Sequence, residues 1–395
     1  MHLAFVSMHT SPAMQPGSGD AGGMNVVERA QAEALGKLGH HVELITRRNS
    51  PSDPDVSDLA PNVTLRHLTA GPTTPLPKSV IDQHIAEFAQ GLAALGEYDL
   101  VHSHHWMSGV AALPLAHERG IPHVQSFHSV AALPGRSLHE GEPPESPARV
   151  PGEALVAQQS DAVVAISAAE ARTVIERCGA DPDKVSIVSP GVDREIFRPL
   201  APGETRYGDW ERGYVLFAAR LQPLKGPDLA ISAIAEVPRE IRPHLVVAGD
   251  TSADFADYSA KLHDLVDCLG LGNDVTFLPP QSRADLAMLM RGARVVLVPS
   301  HSETFGLVAL EAAASGTPVI AAAAGGLREA VAHAETGQLM DSRNAEDWGK
   351  ALRRLLTEPG LLRRMGVVAR VHARRFDWDF AASRLETLYT GLING

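Results

Sequence analysis

Short apolar runs, mostly β-branched, alternate along the whole chain with longer segments in which apolar residues recur every three to four positions. Runs such as LAFVS, HVELIT and DLVHSH have the length and composition of buried strands. The segments at 25–38 and 79–95 have helical periodicity instead. Strands that alternate with helices in this way predict parallel sheets wound by crossover helices, which is the α/β class.

The alternating pattern occurs twice. The first half also contains VTLRHL, HVQSFH, AVVAIS and VSIVS, and the second half restarts with YVLFAAR, HLVVAGD, VTFLPP, VVLVPS and PVIAAAA. The segment between the halves is rich in Pro, Gly and charged residues. We therefore predict a Rossmann-like domain at 1–198, a linker at 199–213 and a second Rossmann-like domain at 214–375. A ligand is expected between the domains, at the carboxyl ends of their strands.

Three segments lie outside this alternation. Residues 49–62 and 134–147 lack periodicity and are rich in Pro, Ser and acidic residues, so we predict loops. The second is long enough to be a functional loop. From about residue 344 the chain shows helical patterns without strand candidates, and we predict a closing helix at 376–395.

Composition and charge exclude several classes of protein. A formal net charge of −12 over 395 residues argues against nucleic acid or an anionic membrane as the main partner. No apolar run approaches the roughly 20 residues of a membrane helix, and the first residues lack the basic segment of a signal peptide. We expect a cytoplasmic protein without stable membrane insertion, and the sequence leaves a homodimer open. Cys178 and Cys268 lie in different halves, which indicates neither a disulfide framework nor a zinc site.

A glycine-rich loop follows the first strand. Gly17, Gly19 and Gly22 have the spacing of the dinucleotide fingerprint, so an NAD(P)-dependent oxidoreductase is one alternative. Against it, Gly17 lies well past the strand, whereas the fingerprint needs its first glycine directly at the strand end. The second strand ends in Arg47 and Arg48, without the acidic residue that binds a ribose hydroxyl, although arginines would suit NADP.

Gly22 and Gly23 come directly before a predicted helix. Free N–H groups and the positive end of the helix dipole favour a phosphate there, and glycine lets the backbone approach it closely. The alternative is a flexible surface loop.

A pair of cations begins the second half. Arg220 leaves the first strand of that half, and Lys225 follows five residues later, before Gly226 and a helix. The two side chains can converge on one anion, and a diphosphate would be bound strongly. The alternative is two solvated basic side chains.

Two glutamates are the next candidates. Glu303 follows a buried strand and Glu311 lies eight residues further, on the helix that begins near Gly306. Carboxylates near a bound sugar accept hydrogen bonds from paired hydroxyls. Each could instead interact with the helix dipole or lie on a solvated face.

Taken together, these segments resemble the retaining family 4 glycosyltransferases of the GT-B fold. The matching pieces are GDAGGMN, the Arg220 and Lys225 pair, SPGVD with FRP, and the Glu303-x7-Glu311 spacing, and the resemblance covers nearly the whole chain. FDWDF resembles the closing helix of that fold, which returns to the first domain. The resemblance implies two facing Rossmann-like domains, a nucleotide-sugar donor on the second domain, an acceptor on the first, and retention of the anomeric configuration.

The resemblance also implies a role for each matching residue. Arg220 and Lys225 bind the donor diphosphate, Glu303 contacts the transferred sugar, and Glu311 contacts the ribose. The remaining assignments are backbone N–H groups of Phe305, Gly306 and Leu307 for the phosphates, Gly22 and Gly23 for the diphosphate, and His128 beside the transferred sugar. No metal or other cofactor is expected, because the two cations supply positive charge. VHSHHW is not expected to bind a metal, since His102 and His104 share one strand face while His105 points away.

The first domain is more similar to one branch of that family. HTSPAMQPGSGDAGGMNV, VHSHHWMSG, FHSVAAL and PARVPGE resemble the branch of mycothiol biosynthesis, which transfers N-acetylglucosamine from UDP-N-acetylglucosamine to an inositol 3-phosphate. This resemblance implies that Lys78 and Arg149 bind the acceptor phosphate and that Asn25 faces the cyclitol. His105 and Ser129 replace a tyrosine and a threonine of that branch, but both can still hydrogen-bond to phosphate. We predict a phosphorylated cyclitol acceptor, with an aminocyclitol, another sugar or a thiol metabolite as alternatives.

Overall fold

The computed structural model describes residues 1–251 and 253–395. The chain divides into two compact units. Unit 1 consists of Met1–Met14, Gly23–Gly191 and Trp378–Gly395, and unit 2 consists of Gln15–Gly22 and Val192–Asp377. Each unit contains its own mainly parallel sheet with helices, which confirms the predicted α/β class with two Rossmann-like domains.

Unit 1 contains eight strands among its described residues, in the order β3-β4-β2-β1-β5-β6-β7-β8. The strands are β1 (His2–Ser7), β2 (His41–Arg47), β3 (Val56–Ala60), β4 (Val63–Leu68), β5 (Leu100–His104), β6 (His123–Ser126), β7 (Ala162–Ala165) and β8 (Val185–Ile187). The helices are α1 (Gly23–Lys37), α2 (Lys78–Ile81), α3 (Ile85–Ala93), α4 (Trp106–Arg119), α5 (Arg149–Gln159) and α6 (Ala168–Thr173). Alternate residues of the central strands contribute to two apolar cores, as a sheet covered on both faces requires.

The segment 49–62, predicted as a loop, contains one strand. β3 pairs with β4 in antiparallel orientation at the edge of the sheet, and its register shifts between Asp58 and Ala60. None of its residues is fully buried, so the strand lacks the apolar run that identifies its neighbours. That part of the loop prediction was wrong because an edge strand needs little apolar side-chain area.

Within its described residues, unit 2 has a six-stranded sheet of order β11-β10-β9-β12-β13-β14. Its strands are β9 (Tyr214–Ala218), β10 (His244–Ala248), β11 (Val275–Leu278), β12 (Val295–Val298), β13 (Val319–Ala322) and β14 (Gly337–Met340). Its helices are α7 (Pro227–Ala235), α8 (Tyr258–Cys268), α9 (Arg283–Gly292), α10 (Leu307–Ala314), α11 (Leu327–Ala330), α12 (Ala345–Thr357) and α13 (Pro359–Ala373). Five of these six strands were predicted, and β14 was missed.

The last helix, α14 (Trp378–Asn394), belongs to unit 1 and packs against α1. Ala381, Ala382, Leu385 and Tyr389 of α14 join the apolar core on one face of the first sheet. The Tyr389 hydroxyl also lies 2.6 Å from Nδ1 of His102 on β5. The helix is therefore held by both apolar burial and a buried hydrogen bond.

The boundaries of the units differ from those that composition suggests. The chain passes from unit 1 to unit 2 at Gly191 and Val192 and returns at Asp377 and Trp378, while the segment 199–213 lies within unit 2. That segment packs against the rest of unit 2, since Trp210 stacks on His244 of β10 with ring centroids 4.0 Å apart.

Two further expectations concern covalent bonds and membranes. Cys178 is buried, Cys268 is exposed, and both are free thiols. Within residues 1–251 and 253–395, no helix has the length and apolarity needed to cross a bilayer.

Candidate active site

In unit 2, the carboxyl ends of β9 and β12 lie side by side because the two strands pair in parallel. Lys225, in a short helical turn after β9, donates a 2.8 Å hydrogen bond from Nζ to Oε2 of Glu303, which follows β12. The Ser300 hydroxyl donates to the same oxygen at 3.2 Å. Both the lysine and the glutamate side chains are about one-sixth exposed, at 17% each. The structure therefore brings two predicted site residues into direct contact, with both side chains partly exposed.

The backbone around Glu303 is fixed by a pair of glycines that follow β13. Gly326 donates its N–H to the Glu303 carbonyl at 2.9 Å. A Cβ at Gly325 would lie 2.1 Å from the Glu303 carbonyl oxygen, and one at Gly326 would lie 2.1 Å from the Thr304 carbonyl oxygen. Only glycine permits this close approach, so these two positions hold the loop that carries Glu303.

The helix α10 begins directly after this loop. Gly306 precedes it with φ of 100°, a left-handed conformation that favours glycine. The first N–H groups of a helix have no partner within the helix and point outward with the positive end of the dipole. Phe305 is buried and packs edge-on against Phe376, with ring centroids 5.5 Å apart, which anchors the start of α10.

Glu311 lies in the second turn of α10 and is buried. Its Oε1 accepts a 2.9 Å hydrogen bond from Nη1 of Arg283, the first residue of α9. The guanidinium of Arg283 also lies over the Phe197 ring, 4.9 Å from its centroid. Burial raises the pKa of Glu311, and Arg283 opposes that shift. The arginine therefore keeps a buried carboxylate available as a hydrogen-bond acceptor.

Arg220 has an acidic neighbour in the glycine-rich loop. Its Nη1 lies 3.7 Å from Oδ1 of Asp20, and a Cβ at Gly22 would be in van der Waals contact with its Nε at 3.7 Å. The segment Gln15–Gly22 belongs to unit 2, whereas Gly23 begins α1 in unit 1. The loop thus lies against the guanidinium that was expected to bind a phosphate.

In unit 1, Arg149 is the centre of a second group of candidate residues. It begins α5 and is fully buried. Its Nε donates to Glu153 at 2.8 Å, its Nη1 pairs with Glu145, and its Nη2 donates to the Ser129 hydroxyl at 3.1 Å. Burial would lower the pKa of Arg149, but the two carboxylates outweigh it and raise the pKa. Arg149 and Ser129 are thus in contact, and the charge of the arginine is balanced within the protein.

His105 lies next to this group at the start of α4. Its φ is 71°, it is buried, and its ring packs against that of His9, tilted by 37° with centroids 4.1 Å apart. Its Nε2 lies 3.9 Å from Oε1 of Glu145. Among the described residues, neither ring nitrogen of His105 has a hydrogen-bond partner. Burial lowers its pKa, and the positive charges of Arg149 and Lys78 lower it further, so the ring is neutral.

The other two acceptor candidates lie in the same unit. Lys78 begins α2 and is buried, and its charge acts on His105. Asn25 is buried in the first turn of α1, and its Nδ2 donates to the Thr10 hydroxyl at 3.1 Å and to the Ser11 carbonyl at 2.9 Å. The amide of Asn25 therefore also supports the segment that follows β1.

His128 follows β6 in a left-handed conformation, with φ of 59°. A non-glycine residue in that conformation is strained, and such residues concentrate at functional sites. Its Nε2 lies 2.8 Å from Nδ1 of His104, and burial lowers the pKa of His128 to about 3. The rings of His102 and His104 stack with centroids 4.3 Å apart, so the two side chains share one face as expected.

Sequence reasoning missed the partners of these residues. The acidic residues Asp20, Glu28, Glu145 and Glu153, and the basic Arg283, were not singled out, although each contacts or lies near a candidate. Glu153 lies four residues after Arg149, a spacing that places it beside the arginine on α5, whereas Glu145 precedes that helix. That signal was available in the sequence, whereas the contact of Arg283 with Glu311 joins two helices and was not.

Comparison with known proteins identifies the family of the chain. Residues 22–191 match the model of the glycosyl transferase 4-like domain, and residues 209–372 match that of glycosyl transferases group 1. A D-inositol 3-phosphate glycosyltransferase of Gordonia bronchialis is 42% identical over 98% of this chain and 88% of its own length. One of Stackebrandtia nassauensis is 41% identical over 99% of this chain and 91% of its own.

The chain belongs to the group 1, GT4-like glycosyltransferases. It is thus a nucleotide-sugar-dependent transferase, and the resemblance seen in its motifs is confirmed. Sucrose-phosphate synthase from Thermosynechococcus elongatus has the same GT-B fold, with a TM-score of 0.89 and 28% identity over 100% of this chain and 99% of its own. The Anabaena protein HepE in complex with UDP and glucose shares the fold with a TM-score of 0.77 and 20% identity, over 99% of this chain and 100% of its own.

The family membership overturns the oxidoreductase alternative, and the structure gives a physical reason. The side chain of Arg47 is buried and donates to the carbonyls of Pro72 and Thr74, each at 2.7 Å, so it is committed to the backbone. The glycines of the 17–22 segment lie well beyond Ser7, where β1 ends. Neither feature suits a dinucleotide.

Proposed function

We propose that this glycosyltransferase moves N-acetylglucosamine from UDP-N-acetylglucosamine to a phosphorylated cyclitol such as 1D-myo-inositol 3-phosphate, with retention of configuration. The observation that carries the proposal is the contact of the buried Arg149 with the partly buried Ser129, beside Lys78 and His105. Relatives at about 40% identity carry the name D-inositol 3-phosphate glycosyltransferase, which supports the same acceptor.

The charges around Arg149 indicate how a phosphate would bind. Glu145 and Glu153 balance the arginine, so we assign the main positive charge for a phosphate to Lys78. Arg149 and Ser129 would contribute directed hydrogen bonds, because Ser129 is already held by Nη2 of the arginine. His105 has buried ring nitrogens without partners among the described residues, and we assign one of them to a phosphate oxygen.

On the donor side, we propose that Arg220 and Lys225 bind the diphosphate and stabilise it as it departs. In the reaction, the bond from the anomeric carbon to the phosphate oxygen breaks and a bond to the acceptor oxygen forms on the same face. The acceptor proton passes to the departing phosphate. Stabilisation of the negative charge that develops on that phosphate is the main electrostatic task, and two cations in a partly desolvated site suit it.

We assign the remaining donor contacts in the same way. Glu303 would accept hydrogen bonds from hydroxyls of the transferred sugar, and Glu311 from the ribose. The N–H groups at the start of α10, from Phe305 to Leu307, would meet phosphate oxygens, and Gly22 and Gly23 would allow the diphosphate to approach the backbone. His128 would lie beside the transferred sugar.

A panel of donors and acceptors with mass-spectrometric detection tests the proposal. UDP-N-acetylglucosamine, UDP-glucose and ADP-glucose are each combined with inositol 3-phosphate, inositol 1-phosphate and unphosphorylated inositol. We expect a product from UDP-N-acetylglucosamine with inositol 3-phosphate and little from inositol itself, and NMR of the product should show an α linkage. Equal rates with inositol and inositol 3-phosphate would contradict a phosphate-binding acceptor site.

We also propose that the transfer needs no metal ion, since Arg220 and Lys225 supply the positive charge at the diphosphate. Turnover should therefore be unchanged when EDTA is added in excess over any divalent cation in the buffer. A loss of activity that is restored by Mg²⁺ or Mn²⁺ would contradict this assignment.

A further inference from the structure

Glu28, His104 and His128 form a buried cluster in unit 1. Glu28 lies on α1, His104 is the last residue of β5, and His128 follows β6. One ligand atom from each residue lies within 4.8 Å of those of the other two. Nδ1 of His104 and Nε2 of His128 are hydrogen-bonded at 2.8 Å, and Oε1 of Glu28 lies 3.9 Å from that same Nδ1. We read the cluster as hydrogen-bonded, because the two facing nitrogens already share a proton.

In the neighbouring His102, both ring nitrogens have hydrogen-bond partners. The Ser126 hydroxyl donates to the Val164 carbonyl at 3.0 Å, so it accepts from Nε2 of His102 at 2.9 Å. Nδ1 of His102 then accepts from the Tyr389 hydroxyl at 2.6 Å. Its partners therefore fix the tautomer of His102.

In His104, the ring nitrogen with a hydrogen-bond partner is Nδ1, which faces His128. Within the described residues, its buried Nε2 has no hydrogen-bond partner. A proton on Nε2 would leave a buried N–H unsatisfied, and such orphan donors are rarer in proteins than under-satisfied acceptors. A neutral His104 with its proton on Nδ1 avoids that cost and donates to Nε2 of His128. Burial raises the pKa of Glu28 well above its usual range, but a carboxyl oxygen next to Nδ1 attracts the N–H of this tautomer in either ionisation state.

We infer that His104, supported by Glu28, is a positioning residue that holds His128 in the tautomer with its proton on Nδ1. Nε2 of His128 accepts from His104, so Nδ1 is the nitrogen that donates. The tautomer of His128 does not depend on the proposed function. Only its consequence rests on that function, namely that the N–H donor held in a fixed place serves the transfer reaction.

The surroundings of the cluster contain few other charges that could set the tautomer. His102 on β5 and Tyr389 on α14 are hydrogen-bonded to each other. From β1, Ser7 lies beside the Glu28 carboxyl, and Phe5 packs against His104 with ring centroids 5.1 Å apart. From the other side, His105 precedes α4, and Glu170 of α6 accepts a hydrogen bond from the backbone of His128. Neither the His105 nor the Glu170 side chain lies at hydrogen-bonding distance from the proton that His104 and His128 share.

Histidine ¹⁵N-labelled protein tests the tautomer directly, whether or not the reaction is the proposed one. Long-range ¹H–¹⁵N spectra of the wild-type protein should show a proton on Nδ1 of both His104 and His128. The His128 signals are identified by their loss in His128→Asn. A proton on Nε2 of His128 would overturn the inference, as would one equivalent of metal bound to the purified protein.

Kinetics test the consequence. His104→Asn keeps an N–H donor close to the place of Nδ1, whereas His104→Phe fills the space and removes the donor. We expect His104→Phe to lower kcat by about tenfold or more with KM changed less than twofold, and His104→Asn to recover most of the loss. Glu28→Gln should give an intermediate kcat. The control is His123→Gln, another buried histidine of the same sheet, which bonds to Ser103 and Ser160 and should leave kcat within twofold.

The outcomes separate the two proposals. Equal loss of kcat in His104→Phe and His104→Asn, with both folded, would show a packing role and overturn the positioning role. If the wild-type protein transfers no sugar from UDP-N-acetylglucosamine, the proposed function fails, and the spectra of the wild-type protein still decide the tautomer.

Discussion

Lys225 Nζ lies 2.8 Å from Oε2 of Glu303 and joins the end of β9 to the loop after β12. This contact brings a cation proposed for the diphosphate next to a carboxylate proposed for the sugar. A donor substrate would meet both groups at once, because its diphosphate is attached to the sugar carbon. Under the proposed function, the transferred bond would therefore lie near these two side chains.

We predict that Lys225→Ala lowers kcat by about 10²- to 10³-fold, because it removes a charge that stabilises the departing phosphate. Steady-state kinetics with UDP-N-acetylglucosamine measure the change, and circular dichroism checks that the fold is intact. Lys350→Ala is the matched control, since Lys350 is exposed and pairs with Glu346 on α12. Turnover of Lys225→Ala within a few-fold of wild type would contradict the donor assignment.

The contact of Asp20 with Arg220 leads to a prediction of opposite sign. Asp20 lies 3.7 Å from the guanidinium and would compete with the proposed diphosphate for it. Because a partly exposed ion pair is worth at most about 1 kcal/mol, Asp20→Asn should lower the KM for the donor by up to about fivefold. Asp285→Asn, on α9 of the same unit, serves as the control. An increase in KM for Asp20→Asn would mean that the aspartate helps to bind the donor.

The acceptor side is best tested at Lys78. Arg149 is unsuited to the purpose, because its loss would leave the buried Glu153 and the partly buried Glu145 without their partner and destabilise unit 1. Lys78→Met keeps much of the side-chain volume, and we expect the KM for inositol 3-phosphate to rise about tenfold or more while the KM for the donor stays constant. The control is the exposed Lys37→Met at the end of α1. Unchanged acceptor kinetics in Lys78→Met would remove the phosphate assignment.

The sequence predicted the α/β class and most strands because buried parallel strands are continuous apolar runs. It did not predict β3, whose residues remain partly exposed at the sheet edge, nor β14. Within the candidate site, the motifs identified Glu303 and Lys225 as separate residues, and their ion pair follows from the pairing of β9 with β12. The contact of His104 with His128 likewise depends on β5 and β6 being neighbours. Such contacts depend on strand order, which local patterns do not encode.

The boundary between the units shows a second limit of the sequence. Pro, Gly and charged residues at 199–213 are typical of a linker, but these residues pack within unit 2. Arg198 and Glu204 form an ion pair there, and Tyr207 lies near Trp210 with ring centroids 5.9 Å apart. Composition alone therefore does not show where the chain leaves unit 1.

Glu170 gives a prediction of how stability depends on pH. It is buried at the start of α6 and accepts hydrogen bonds from the backbone N–H groups of Ile166 and His128. Burial raises its pKa from 4.5 to about 7. Because the folded protein binds this proton more tightly than the unfolded chain, the contribution of Glu170 to stability is fully present below pH 4.5. It is lost as the pH rises from 4.5 through about 7, and the loss levels off above that.

We therefore predict that Glu170→Gln, which cannot ionise, reduces the dependence of stability on pH. The free energy of unfolding of the variant, measured by urea denaturation, should rise relative to wild type between pH 4.5 and pH 8. The shift in pKa sets an upper limit of about 3 kcal/mol for that relative gain. Exposed Glu176→Gln controls for the loss of a negative charge and should give parallel curves. A difference between Glu170→Gln and wild type that stays constant over this range would mean that Glu170 does not titrate there.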